Sequence, residues 1–258
     1  MRTYIRCLEL VKTSGTATQQ TSLPRKKKGL DTAADLERFV GPRRYATILA
    51  DPPWRFLNRT GKVAPEHRRL SRYSTMHLAE IMALPVGHIA ASTAHLYLWC
   101  PNALLPDALA VMKAWGFTYK SNIVWHKVRK DGGSDGRGVG FYFRNVTELL
   151  LFGVRGKKAR TLQPGRRQVN CVATRKREHS RKPDEMYDVI EACSRPSRIE
   201  LFARGCRSGW DAWGDEATRR HSPKSFDVRR ASASVRSRRD KGSPKGKSPM
   251  TRISSAVR

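Results

Sequence analysis

The chain has 258 residues, 39% of them hydrophobic, enough for one good core with trailing segments and too few for two full domains. Its 51 Lys and Arg against 22 Asp and Glu give a formal net charge of +29, far beyond what solubility requires, and point to a polyanionic partner. No stretch reaches the ~18 apolar residues of a membrane span and the N-terminus lacks a secretory apolar region, so no membrane role and a cytoplasmic location are expected.

In chain order, residues 1–28 begin with a short apolar patch, turn polar and end in Arg25-Lys26-Lys27-Lys28, the pattern of a flexible basic arm. Asp31 is placed to cap a helix with Leu36, Phe39 and Val40 on one face, ended before Pro42. Thr47 to Ala50 then form a short apolar run that suits a strand buried on both faces, and it stops at Asp51-Pro52-Pro53-Trp54. Neither proline can donate to a ladder and each fixes φ, which holds the carbonyls of Asp51 and Pro52 stiffly at the strand's carboxyl end. In open α/β sheets that is where ligands bind.

An acid, a stiff carbonyl and an indole together suit an exocyclic amine on a purine. The adenine N6 lone pair is delocalised into the ring until acceptors hold the amine hydrogens. Asp51 and the Pro52 carbonyl are the candidate acceptors, and Trp54 the candidate wall for the base. The plainer alternative is a strand closed by a Pro-Pro turn with Trp54 in the core.

Residues 55–72 carry six Arg or Lys and few apolar anchors, as a mobile lid would. Thr75 to Leu84 reads as a helix with Leu78, Ile81 and Met82 inward, stopped at Pro85. His95 to Cys100 is a buried strand, Ala103 to Trp115 a helix ended by Gly116, and Phe117 to His126 a further strand. The alternation implies a parallel, doubly wound α/β sheet. Asp131 to Gly140 holds five glycines but joins no strand to a helix, so it reads as a substrate loop presenting Arg129, Lys130 and Arg137 rather than a dinucleotide fingerprint.

Thr147 to Val154 is an apolar strand, Arg155 to Arg167 a second basic loop and Val169 to Ala173 a short strand. Pro183 suits the first turn of a helix whose dipole Asp184 and Glu185 oppose and whose apolar face is Met186, Val189, Ile190 and Cys193. Ile199 to Ala203 is the last confident strand. From Thr218 to Arg258 there are 13 Lys and Arg against 2 acids and no apolar period, which predicts a disordered basic tail. The expected organisation is therefore an arm over 1–28, a catalytic domain over 29–217 and a tail over 218–258. Five cysteines without a C-x-x-C pair, and seven histidines without ligand spacing, predict no metal.

The blocks ILADPPW, RYSTM, HLYLWC, WGF, IVWHK, ELLLFGVRGK, HSRKPDEMY, RIELFAR and GWDAWGDE follow one another between Arg44 and Glu216. In this order they resemble the adenine-N6 methyltransferases related to the catalytic subunit of the eukaryotic mRNA adenosine methyltransferase, most of all the short bacterial and phage members. The resemblance implies a Rossmann-like methyltransferase sheet in permuted order, S-adenosylmethionine as cofactor, and methyl transfer to N6 of adenine in nucleic acid. DNA is the favoured substrate and RNA the alternative, with a nucleoid-associated enzyme acting alone or as a homo- or heterodimer.

By resemblance, Tyr73 helps enclose the adenine, and Lys182, Glu200 and Arg204 contact the cofactor with Asp51 from the opposite side. Independently of it, an acid such as Glu200 inside a strand is out of place unless it faces a pocket, where it can accept from a ribose diol. Lys182, just before a helix opening, can hold a carboxylate. Asp215 and Glu216 fall on cofactor-adenine positions where Asn-Gln or Asn-Glu is common in the family, and Cys206-Arg207 replace the common His-Asn. A catalytically inactive nucleic-acid-binding relative is the competing reading, and a cytosine-N4 enzyme a third, disfavoured by Asp51 where such enzymes usually have Ser. Base readout would fall to the loops 55–72, 127–140 and 155–168.

Overall fold

The computed structural model describes residues 5–6, 30–56, 75–136, 142–175, 181–215 and 217. Its eight strands are β1 (Ile5–Arg6), β2 (Tyr45–Ala50), β3 (Ala90–Cys100), β4 (Thr118–Val128), β5 (Thr147–Arg155), β6 (Cys171–Arg175), β7 (Arg198–Leu201) and β8 (Trp210–Trp213). They form one sheet in the order β1-β8-β7-β2-β3-β5-β4-β6. The helices are α1 (Leu30–Val40), α2 (Leu78–Met82), α3 (Val86–Ile89), α4 (Leu105–Ala114) and α5 (Glu185–Cys193).

Strand alternation assigns the two faces. Ile48 and Ala50, Leu96 and Leu98, Ile199 and Leu201 point to one side and pack with Leu36, Ile81, Val86, Val111 and Trp115 of the α1–α4 layer. Leu49, Tyr97, Trp99, Trp125 and Leu150 point to the other, under Met186 and Ile190 of α5. With helices on both faces, the sheet is doubly wound, as its pattern implied.

It is mostly, not wholly, parallel. β2 runs parallel to both β3 and β7, β7 to β8 and β4 to β6. β5, however, lies between β3 and β4 and is antiparallel to both. The cause is in the connection: a right-handed parallel crossover needs a dozen or more residues, usually a helix, and the described part of 129–146 holds none. This reversal carries the start of β5 to the carboxyl edge of the parallel strands and its end to the amino edge.

Other differences are local. α1 begins at Leu30, so Asp31 is inside the helix rather than its cap, and Gly41 at φ +58° closes it. The Ala103–Trp115 helix opens as a 3-10 turn over Asn102–Leu104. A strand over Trp210–Trp213, unforeseen in the sequence, extends the sheet, and Ile5–Arg6 of the expected flexible arm pair with it antiparallel. The remainder of the arm and the tail from 218 on lie outside the described residues.

Candidate active site

The carboxyl edge of β2 ends in a tight turn. The Trp54 N–H donates to the Pro52 carbonyl at 2.8 Å and the Met76 N–H to the Pro53 carbonyl at 3.0 Å. The Trp54 indole N–H donates to the Trp99 carbonyl at 3.0 Å, and the ring is 7% exposed within the core. Trp54 is therefore the pillar that fixes this turn to β3, not an open plate for a base. The Pro52 carbonyl already has one donor, which leaves its second lone pair.

Asp51, half-buried beside this turn, heads a row of alternating charges. Lys182 Nζ lies 3.0 Å from each Asp51 carboxylate oxygen and 2.9 Å from Glu148 Oε1. Glu148 Oε2 in turn accepts from Lys127 Nζ at 2.9 Å. Asp51, Lys182, Glu148 and Lys127 thus run across the ends of β2, β5 and β4 with no net charge. Two indoles floor the row: Lys182 Nζ sits 5.2 Å from the Trp99 ring and Lys127 Nζ 4.6 Å from the Trp125 ring. All four charged side chains are less than a fifth exposed.

Burial opposes the charge of Glu148, but Lys182 and Lys127 outweigh it and hold its carboxyl below the usual range. Burial likewise opposes the ammonium of Lys182, and Asp51 and Glu148 overcome it and raise its pKa. Lys182 is thus already engaged on two sides and offers at most one further N–H to a ligand.

Glu200 stands one position before the end of β7, on the α5 face, where its Oε2 accepts from the Tyr187 hydroxyl at 2.8 Å. Burial, and after it the nearby Asp51 charge, pushes its carboxyl up to about 7, against the lowering influence of the Tyr187 hydroxyl, Arg207 and Arg204. Tyr187 is raised well above its ordinary value by burial and by Glu200. The Arg207 guanidinium lies 4.5 Å from the Tyr187 ring and pairs with Asp188 and Glu191, and the Trp210 indole N–H donates to Glu191 at 2.8 Å. Arg207 is thereby tied to α5. Cys206 donates its thiol to the Ala217 carbonyl.

The remaining expected site residues are dispersed. Arg204 is close enough to Glu200 to influence its carboxyl, and Asp215 is exposed beyond β8. Arg129 is exposed and paired with Asp131 at 2.9 Å, and Lys130 is exposed beside it. Tyr73, Arg137, Glu216 and the lid from 57 on lie outside the described residues. The loop 155–168 cannot read a base at this site, because β5 delivers it to the opposite edge of the sheet.

Over residues 45–216 the chain matches the family model described as MT-A70. The chain belongs to the MT-A70 family. Among its relatives is the type II methyltransferase M.MunI of a Mycoplasma species, 28% identical over 193 residues that cover 67% of this chain and 78% of that protein. The zebrafish (Danio rerio) N(6)-adenosine-methyltransferase subunit METTL3 is 27% identical across 67% of this chain but only 28% of its own length. The Drosophila melanogaster non-catalytic subunit METTL14 is 26% identical over 83% of this chain and 57% of its own. The chain thus spans about a quarter of the METTL3-type relatives. MT-A70 family methyltransferases act in N6-adenosine methylation, and the charge row of this chain sits within the matched region.

Among the described residues no group of three or more His, Cys, Asp and Glu is arranged to hold a metal ion, and no helix is long and apolar enough to cross a membrane.

Proposed function

We propose that this chain is an S-adenosylmethionine-dependent methyltransferase acting on N6 of adenine in nucleic acid, with DNA as the preferred substrate. The observation that carries it is the clamped Asp51: an acid at a strand's carboxyl end, held by Lys182 beside a turn that Trp54 locks. A carboxylate fixed from one side keeps its remaining lone pairs for an incoming donor. It accepts one N6 hydrogen and turns the amine lone pair outward, and the Pro52 carbonyl has a lone pair for the second hydrogen. The proton that N6 loses on methylation has the Asp51 carboxylate as its first acceptor.

The cofactor fits the residues that remain. Among the described residues the second Glu200 oxygen has no partner, at a depth where a ribose diol can donate to it. Lys182 has one N–H left at the opening of α5 for a carboxylate. When bound, S-adenosylmethionine supplies an electrophilic methyl on sulfur. A duplex must flip its adenine into the site, since N6 is otherwise stacked and paired. The similarity to M.MunI across most of that protein favours DNA, whereas the METTL3-type relatives share only this region.

The similarity to METTL14 supports a second reading, a non-catalytic nucleic-acid-binding subunit. Incubation with methyl-labelled S-adenosylmethionine and separate DNA and RNA pools, followed by nucleoside analysis, decides. Labelled N6-methyladenine in DNA is the expected product. Label only in RNA reverses the substrate, and no label in either pool favours the non-catalytic reading.

A further inference from the structure

The amino edge of the sheet, opposite the active site, carries a cluster of positive charge with a fixed frame. Lys157, Lys158, Arg160, Arg166, Arg167 and Arg195 are all exposed there, and none of them has an ion pair among the described residues. The segments 156–170 and 194–197 that carry them contain no Asp or Glu. Like charges held together repel, so the arrangement is unfavourable without an anion.

The loop that carries most of them is pinned to the core. His95, 6% exposed, approaches the Ala159 carbonyl with Nε2 at 3.3 Å. A carbonyl only accepts, so Nε2 carries the proton, and Nδ1 accepts from Ser194 Oγ at 2.7 Å. The Ser194 oxygen is then the acceptor for the Tyr97 hydroxyl at 2.8 Å. Further along, the Leu162 N–H donates to the Cys193 carbonyl at 2.9 Å. Gly165 packs so tightly there that a Cβ would meet Cys193 Sγ at 2.5 Å. Three buried polar side chains and a close backbone approach thus hold a segment whose only charges are positive.

We infer that this edge is a second nucleic-acid surface, which binds the phosphodiester backbone of the substrate away from the target adenine. The inference rests on the nucleic-acid reading above. Its geometry sets a length requirement. β5 advances about 3.4 Å per residue, so its nine residues separate the two edges by roughly 27 Å, about 8 base pairs of duplex at 3.4 Å each. A substrate shorter than that on either side of the adenine cannot touch both.

The test compares the full chain with a quadruple variant, Lys157→Gln, Lys158→Gln, Arg166→Gln and Arg167→Gln. A charge-keeping control exchanges Lys for Arg and Arg for Lys at the same four positions. Binding and methylation are measured on DNA and RNA duplex probes of ~8 and ~60 base pairs across a salt series. The quadruple variant is expected to bind the long probes at least about tenfold more weakly. Its log K against log salt should be shallower by about 0.9 for each duplex phosphate it no longer neutralises. Binding and turnover of the short probes should match the unaltered chain, and the control should behave like the unaltered chain throughout. Unchanged long-probe affinity and slope overturn the inference, as does equal weakening on short and long probes, which places these charges at the active site. A drop in melting temperature for the quadruple variant but not the control, with affinity per folded molecule unchanged, also overturns it. If the unaltered chain methylates nothing yet the length-dependent loss of binding appears, the catalytic reading fails and the second surface stands.

Discussion

Replacing Glu200 with Gln separates what this carboxylate costs the fold from what it does for the site. Gln keeps the volume and keeps an oxygen to accept from the Tyr187 hydroxyl, but never carries charge. The Glu200 carboxyl is pushed from 4.5 to about 7 by burial and then by Asp51. The folded chain therefore holds the proton between pH 4.5 and 7 while the unfolded chain releases it. With more protons bound in the folded state, stability falls as pH rises through that window. At about 1.36 kcal/mol per pKa unit, ionised Glu200 costs the fold about 3 kcal/mol above pH 7.

Glu200→Gln should thus be more stable than the unaltered chain at pH 8.5 by up to about 3 kcal/mol, or about 6–12 °C in melting temperature for a domain of this size. At pH 4.5 the two should melt together. The same variant should bind S-adenosylmethionine more weakly by about 1–3 kcal/mol, the scale of a charge-assisted hydrogen bond. Unaltered Glu200 must lose its proton to accept from the diol, so cofactor affinity should rise from pH 6 to 8 in the unaltered chain and stay flat in the variant. Melting scans at both pH values and calorimetry with the cofactor measure all of this. A stability gain of equal size at both pH values, or a loss at both, refutes the reasoning, since neither depends on ionisation.

Glu148→Gln should destabilise the fold by about 3 kcal/mol in urea unfolding, because it leaves the largely buried Lys127 ammonium without its carboxylate and Lys182 with Asp51 alone; adding Lys127→Met should recover much of that, and an unchanged midpoint in the single variant contradicts the charge row. Asp51→Asn should abolish methyl transfer while nucleic-acid affinity holds within a few fold, and turnover retained near the original rate removes Asp51 from the chemistry. Burial chiefly lowers the His95 pKa, so the unfolded chain takes up its proton first as pH falls below 6.5; the His95 contribution to stability should shrink there, against the Glu200 gain, and a urea midpoint whose pH dependence is the same in His95→Gln would exclude that contribution.

The elements whose pattern repeats within a few residues were legible in the sequence. The apolar run before Asp51, the alternating faces of β3 and the Met186–Ile190–Cys193 stripe of α5 each report their own burial. β8 was not, because Trp210-Asp211-Ala212-Trp213 is too short to show a period and its acid looks like a loop residue. The fold spends that acid on Tyr45, whose hydroxyl lies 2.5 Å away, and on Arg43. Trp54 was legible only as an alternative, since whether an indole walls a ligand or pins a turn depends on the Trp99 carbonyl, 45 residues away.

The larger gap has one physical source, the direction of β5. Glu148 opens an apolar strand, and in a parallel sheet an acid there belongs at the amino edge, far from Asp51. Lys127 closes β4 and, without a partner across the sheet, reads as a solvated strand end. Reversing β5 places Glu148 beside both Lys127 and Lys182, turning three scattered charges and Asp51 into one row. The same reversal removes Lys157 through Arg167 from the site and leaves them as a separate positive edge. An acid where a strand should be apolar marks Glu148 as much as Glu200. Which edge each acid reaches depends on strand direction, and a connection over 129–146 with glycines but no helical period was the sequence's signal of an antiparallel return.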